Sequence, residues 1–180
     1  MKKSILSLAI IAITLVFSSE SFAQKFSKLD VSPMDVASYP TSYKESNKLV
    51  KVIYSRPQLK GRDLAKLAPK DNVWRTGANE ATEIYFYKDA TFGGKKVKAG
   101  RYTLFSIPSD NGWTIILSTA KNVWGSYFYK EAEDVVRVNA EVTKSEDNIE
   151  AFSISLEGED NEIKLFMGWG HTVVSLPIVF

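Results

Sequence analysis

From Leu49 onward, apolar and polar residues alternate with a period of two, broken by turn-forming clusters. This is the pattern of half-buried strands. In LVKVIYS, Val50, Val52 and Tyr54 share a face. TEIYFY sets Ile84 and Phe86 against Tyr85 and Tyr87. WTIILS aligns Trp113, Ile115 and Leu117. VVRVNAEV places Val136, Val138, Ala140 and Val142 inward, with Arg137, Asn139 and Glu141 outward. AFSISLE alternates Phe152, Ile154 and Leu156 with serines. NEIKLFMGW aligns Ile163, Leu165, Met167 and Trp169, and HTVVSLPIVF aligns Thr172, Val174, Leu176 and Ile178. Between these runs, Gly93-Gly94 suits a tight hairpin, and Ala99-Gly100 closes a short strand ahead of RYTLFSIP. PSDNG, KSEDN and GEDN read as turn-rich links, and GWGH as a further hairpin turn carrying His171. GRDLAKLAP, Gly61 to Pro69, is the single helical pattern, with Leu64, Leu67 and Ala68 on one side and Pro69 as its stop.

About nine short strands with one short helix predict an all-β chain, a single antiparallel β-sandwich of jelly-roll-like character. No strand–helix–strand unit is present, which excludes a Rossmann-type nucleotide fold. Residues 48–180 form the sandwich domain in this reading. Residues 24–47, polar and mixed, form an N-terminal arm on the domain or a first irregular strand. A small outer-membrane barrel is the competing β architecture. Such barrels need strands of roughly ten residues with outward apolar bands. Here the runs are shorter, Pro177 interrupts the last one, and Arg137, Asn139 and Glu141 make a polar outer face.

The first 23 residues carry an export signal: Lys2 and Lys3, an apolar run from Ile5 to Phe17, then Ser21 and Ala23 in a small-x-small arrangement. The run is short for a membrane span, which takes about 20 residues. Cleavage between Ala23 and Gln24 is expected, giving a periplasmic or secreted chain with no membrane span. No Cys follows the run, so a lipid anchor on a terminal Cys is excluded.

Charge and composition narrow the chemistry. With 23 basic and 21 acidic residues, the chain has no electrostatic footprint for nucleic acid. It has no Cys, so packing without disulfides holds the exported fold. One His and no Cys cannot build a zinc site, and no cofactor is expected. GEDNE, Gly158 to Glu162, lacks the alternating ligands of a calcium loop and reads as an acidic hairpin tip. His171 has no nucleophile elbow to serve.

A polar cluster remains. YSRPQLKGR supplies Tyr54, Arg56 and Arg62, and VWRTGANEAT supplies Trp74, Arg75, Asn79 and Glu80. Arg is a planar, permanently charged fork for carboxylates, phosphates or hydroxyls, and stacks on Trp. These seven residues are the candidate ligand site, for a polar small molecule, a glycan or a peptide. Glu80 or Asp63, with an arginine clamp, is the acid/base candidate of an alternative hydrolase. A third reading is an envelope-interaction domain without ligand. The competing structural account makes the cluster a polar knot: Gly77 and Asn79 supply positive φ, Arg75 pairs with Glu80, and Arg56 with Asp63. A knot of that kind makes Arg75→Ala costly, by about 1–3 kcal/mol. Oligomeric state is left open by the pattern.

The same residues carry a resemblance. YSRP, KGR, VWRTGANEAT, GGKKVKAGRYTLFSIP, Trp124-Gly125 with Tyr127, and VVSLPI resemble the domain of unknown function 2911 family, exported bacterial proteins, many from Bacteroidetes. The resemblance covers about Val31 to Ile178. It implies a β-rich periplasmic or secreted domain and no activity. It places emphasis on Arg56, Arg62, Trp74, Arg75, Gly77, Asn79 and Glu80. GWGH departs from the pattern, where a more polar link is expected.

Overall fold

The computed structural model describes residues 25–180; the expected leader, residues 1–23, lies outside them. Nine strands occur among the described residues: β1 (Met34–Tyr39), β2 (Val50–Ser55), β3 (Glu83–Phe86), β4 (Ala90–Phe92), β5 (Lys95–Val97), β6 (Gly100–Ile107), β7 (Trp113–Ser118), β8 (Asp134–Glu159) and β9 (Glu162–Val179). They form an open antiparallel sheet in the order β1-β2-β3-β6-β7-β8-β9-β4-β5, folded over as an all-β sandwich. One layer holds β1, β2, β3, β6, β7 and the first part of β8. The remainder of β8 joins β9, β4 and β5 in the other. The β4–β5 hairpin is an excursion into that second layer, after which β6 returns beside β3. The segment read as an arm contributes β1, which pairs along β2.

The period-two faces meet between the layers. Val50, Val52, Ile84, Leu104, Ile115 and Leu117 face Phe152, Leu165, Met167, Leu176 and Ile178, all buried. Trp74 is the aromatic centre: its ring stacks on Trp169 at 5.6 Å and meets Phe152 and Trp113 edge-on at 5.2 and 6.0 Å. Such rings contribute through large apolar area plus favourable quadrupole geometry.

The last strands differ from expectation. KSEDN and GWGH are not turns; β8 and β9 each run through them without interruption. The ladder shifts register between Lys144 and Ile149, and again between Ile149 and Ser153. Extra residues on one strand of a pair bend and twist it, and these shifts follow closely on the point, between Ala140 and Glu141, where β8 exchanges β7 for β9 as its partner. The polar residues mark a bulged corner on the surface. Val142, expected inward, lies ahead of these shifts, where β8 already pairs with β9 and no longer with β7, and is exposed. His171 is exposed on β9, with Nδ1 3.1 Å from the Ser145 carbonyl. The helix is a single turn, α1 (Leu64–Leu67), capped by Asp63, whose Oδ1 accepts the Ala65 N–H at 3.0 Å. No helix among the described residues is long and apolar enough to cross a membrane.

The layers are also stitched by polar groups at and beyond the end of β2. The Tyr54 hydroxyl accepts the Ile154 N–H at 3.0 Å and lies 3.4 Å from the Ile154 carbonyl. Next along the chain, Phe152 N–H donates to the Pro57 carbonyl and Leu59 N–H to the Glu150 carbonyl, each at 2.9 Å. Removing the Tyr54 hydroxyl leaves a buried amide unpaired. Tyr54→Phe is expected to lower stability by about 1–3 kcal/mol, read from urea unfolding, with near-UV circular dichroism retained.

Candidate functional site

VWRTGANEAT is a loop hung between two pieces of one strand path. At Trp74 the chain lies beside β6, exchanging hydrogen bonds with Ser106 at 2.7 and 3.0 Å. It then swings out and returns at Thr82, whose N–H donates to the Arg75 carbonyl at 3.1 Å. At Thr82 the path beside β6 resumes, the Thr82 carbonyl accepting from Leu104 N–H at 2.8 Å, and continues as β3. The root of the loop is buried and hydroxyl-bonded. Thr82 Oγ1 donates to the Thr76 carbonyl at 2.6 Å, and the Thr76 and Ser106 hydroxyls lie 2.9 Å apart.

The loop's conformation is strained at Thr76, with φ of 53°, and left-handed again at Asn79, with φ of 59°. A β-branched residue in that region is an outlier held by its surroundings. Gly77, expected to supply positive φ, does not. Its role is close approach: a Cβ there would sit 3.1 Å from both the Ser55 carbonyl oxygen and Thr82 Oγ1.

A second loop is laced onto the first. Ala81 N–H donates to the Val123 carbonyl and Gly125 N–H to the Asn79 carbonyl, both at 2.9 Å, and Ser126 Oγ donates to the Val73 carbonyl at 2.8 Å. Glu80 and Trp124 stand opposite each other. Beneath both loops, on the outer face of the first layer, Ala81, Phe105 and Ile116 form a small separate core with Val73, Val123 and Tyr129 packed on it. Above it the second loop carries three rings in five residues, exposed by 61 % (Trp124), 75 % (Tyr127) and 76 % (Phe128). Gly125 takes φ of 67°, and a Cβ on it would fall 2.7 Å from the Tyr127 ring. The glycine therefore allows both the turn and the seating of that ring.

The candidate residues divide into two groups. Trp74 and Tyr54 belong to the core. Arg56 is consumed by a latch: Nε donates to the Phe152 carbonyl at 3.1 Å, while its terminal nitrogens reach Asp35 at 3.0 Å and Ser153 at 2.7 Å. Arg62 ties its own turn, donating to the Leu59 and Gln58 carbonyls at 2.9 and 2.6 Å. Asp63 caps α1. Neither ion pair of the knot account forms: Arg56 takes Asp35 instead of Asp63, and Arg75 does not pair with Glu80. Arg75, Asn79 and Glu80 have side-chain polar groups with no hydrogen-bond partner among the described residues, and the Arg75 Nε is buried without one. The backbone of this stretch is the knot; its three polar heads are not part of it.

The acid that shares a void with Glu80 is Glu83, and that void, about 20 Å³, has room for no more than a water. Glu83 is already engaged: it is paired with Arg101, accepts from the Tyr85 hydroxyl at 2.9 Å and from Asn122 N–H at 3.4 Å. On the other flank the Tyr129 hydroxyl donates to Asp134 at 2.7 Å and accepts from Arg137 at 2.7 Å. Burial first, and that bond to Asp134 second, push the Tyr129 phenol well above its ordinary value. Burial also raises Tyr54 and Tyr85. Among the described residues no group of three or more His, Asp or Glu is placed to hold a metal ion.

A family model described as protein of unknown function (DUF2911) matches residues 32–178. The chain belongs to this family. No curated protein and no solved structure matches it. The DUF2911 match spans both loops. Of the exposed rings, Trp124 and Tyr127 were visible in the sequence as part of the family pattern, but nothing there set them beside Glu80. The available signal was NVWGSYFYK itself, an aromatic run without alternation, broken by glycine.

The division of labour predicts opposite mutational effects. Thr82→Val strips a buried carbonyl of its donor and is expected to cost about 1–3 kcal/mol. Arg75→Ala removes no hydrogen bond and is expected to stay within about 0.5 kcal/mol of the parent chain; thermal melts of both variants check this. The tyrosines add a pH dependence. A phenol whose folded pKa is raised contributes stability that is whole below about pH 10, where unfolded tyrosines ionise, and is lost as pH rises toward the folded value. Stability measured by denaturant titration should fall above about pH 10, and fall less steeply in Tyr129→Phe.

Proposed function

We propose that this chain is an exported, non-catalytic binding module whose contact surface is built by the two laced loops. The observation that carries this reading is a contrast within one segment. The backbone from Trp74 to Thr82 is fastened at its root and again to Val123–Ser126. Yet Arg75, Asn79 and Glu80 carry a cation, an amide and a carboxylate with no side-chain hydrogen-bond partner among the described residues, on a loop laced to the one that bears three exposed rings. A rigid frame holding unpaired polar heads is what a binding site requires, because the ordering cost is met by the fold before a ligand arrives. Arg56, Arg62 and Tyr54 stand outside the contact surface and hold the frame. The alternative hydrolase, using Glu80 or Asp63 with an arginine clamp, draws less support: Asp63 is committed to its helix cap, and Glu83, the acid that shares a void with Glu80, is engaged by Arg101, Tyr85 and Asn122. The leader motif supports export.

A thermal-shift screen of the exported chain against oligosaccharides, short peptides and small dicarboxylic acids tests the reading. At a hundredfold excess over Kd a ligand stabilises by about 2.7 kcal/mol, a rise of roughly 5–10 °C for a chain of this size. The rise is expected to vanish in Glu80→Gln combined with Asn79→Ala. Hits that persist undiminished in that double variant would place binding elsewhere.

A further inference from the structure

We infer that the ligand of this surface is a carbohydrate chain, laid across Trp124 and Tyr127 with Glu80, Asn79 and Arg75 addressing its hydroxyls; the inference rests on the binding-module reading. The rings project from the surface rather than line a cleft, each more than half exposed. A ligand therefore lies over them, and an internal stretch of a chain can do so as well as an end. The Cα atoms of Trp124 and Tyr127 are three residues apart and so within about 11 Å, a span that more than one linked sugar ring covers.

The rings are also held in place. Trp124 sits in the short pairing with Glu80, Gly125 N–H is bonded to Asn79, and the turn closes through Tyr129 N–H on the Ser126 carbonyl at 3.2 Å. Tyr127 rests on Gly125. An aromatic face carries the negative lobe of its quadrupole. A pyranose offers it a face of C–H bonds and offers hydroxyls around its rim. Glu80 can only accept from those hydroxyls, Arg75 can only donate, and Asn79 does both.

Other occupants fit less well. An extended peptide binds by adding to an unpaired strand edge, and here the main chains of residues 79–81 and 123–125 already pair with each other. A bilayer interface accepts Trp, Tyr and Phe, but Glu80 is paired opposite Trp124 along the main chain, and Glu131 and Glu133 follow directly on the loop.

The test is titration of the full exported chain with neutral hexasaccharides, β-1,4-linked glucose, β-1,4-linked N-acetylglucosamine and α-1,4-linked glucose, and with their monosaccharides. Tryptophan fluorescence and Tm are the readouts. Binding is expected for at least one hexasaccharide, and far weaker for its monosaccharide. Trp124→Ala and Tyr127→Ala are expected each to weaken it by about tenfold or more without loss of circular dichroism, since both side chains are exposed. Tyr127→Phe, which keeps the ring, is expected to bind as the parent does. Saccharide binding unchanged in both alanine variants overturns the placement. A peptide or dicarboxylic-acid hit that depends on Glu80, with every saccharide silent, overturns the carbohydrate and leaves the binding module standing. Co-sedimentation with phosphatidylcholine or phosphatidylglycerol vesicles that Trp124→Ala abolishes, again with saccharides silent, assigns the rings to a lipid surface instead. Silence in every arm overturns both readings.

Discussion

The fold depends on what happens between Trp74 and Thr82. Trp74 puts an indole ring of the core between Trp169, Trp113 and Phe152, and one residue later the chain has left the sheet. It can leave because its departure and return are bonded to each other, Arg75 carbonyl to Thr82 N–H and Thr76 carbonyl to Thr82 hydroxyl. A buried excursion without those bonds would strand main-chain groups away from water at a cost of kilocalories each. With them, the strand path beside β6 is continuous through Trp74 and Thr82, and the intervening residues are free to leave β6 and fasten the second loop.

This arrangement couples stability to exposure. Hydroxyls at the loop root absorb the backbone's hydrogen-bonding demand, and a strained Thr76 is tolerated because several neighbours hold it. The second loop is then carried by the first, through Asn79, Ala81 and Val73, over a small core that separates both from the main one. An exposed aromatic triad on a loose loop would be an aggregation hazard. On this frame it is a fixed surface feature, adjacent to polar groups with capacity to spare.

The arginines show how far residue type underdetermines role. Arg56, Arg62 and Arg75 share chemistry and lie close in sequence. Two are engaged by the acceptors packing brings to them: Arg56 by the Phe152 carbonyl, the Asp35 carboxylate and the Ser153 hydroxyl, and Arg62 by the Leu59 and Gln58 carbonyls of its own turn. The third follows the point where the chain turns away from the sheet and meets no acceptor. Glu80 and Glu83 divide likewise. Glu83 lies on β3, with Tyr85 two residues along the same strand and Arg101 on the neighbouring β6, while Glu80 sits on the loop.

Period-two alternation by itself determined that this is an antiparallel all-β sandwich, since only burial of one strand face explains Val50-Val52-Tyr54, Ile84-Phe86 and Ile163-Leu165-Met167. It also marked VWRTGANEAT as the segment that breaks the rule. Alternation is local, and so it could not tell a hairpin turn from a bulged corner: KSEDN and GWGH carry turn residues, yet the ladder beside them keeps both strands going. Nor could it say which polar groups meet. Hydrogen-bond partners lie far apart in sequence, Arg56 with Phe152 and Ser153, Tyr54 with Ile154, Asn79 with Gly125. Their pairing is decided only when the layers close, because a donor takes the acceptor that packing brings to it. What the tertiary structure decided was therefore the sorting: which charged and polar residues are spent on holding the sandwich together, and which are left without a hydrogen-bond partner on the loop laced to Trp124 and Tyr127.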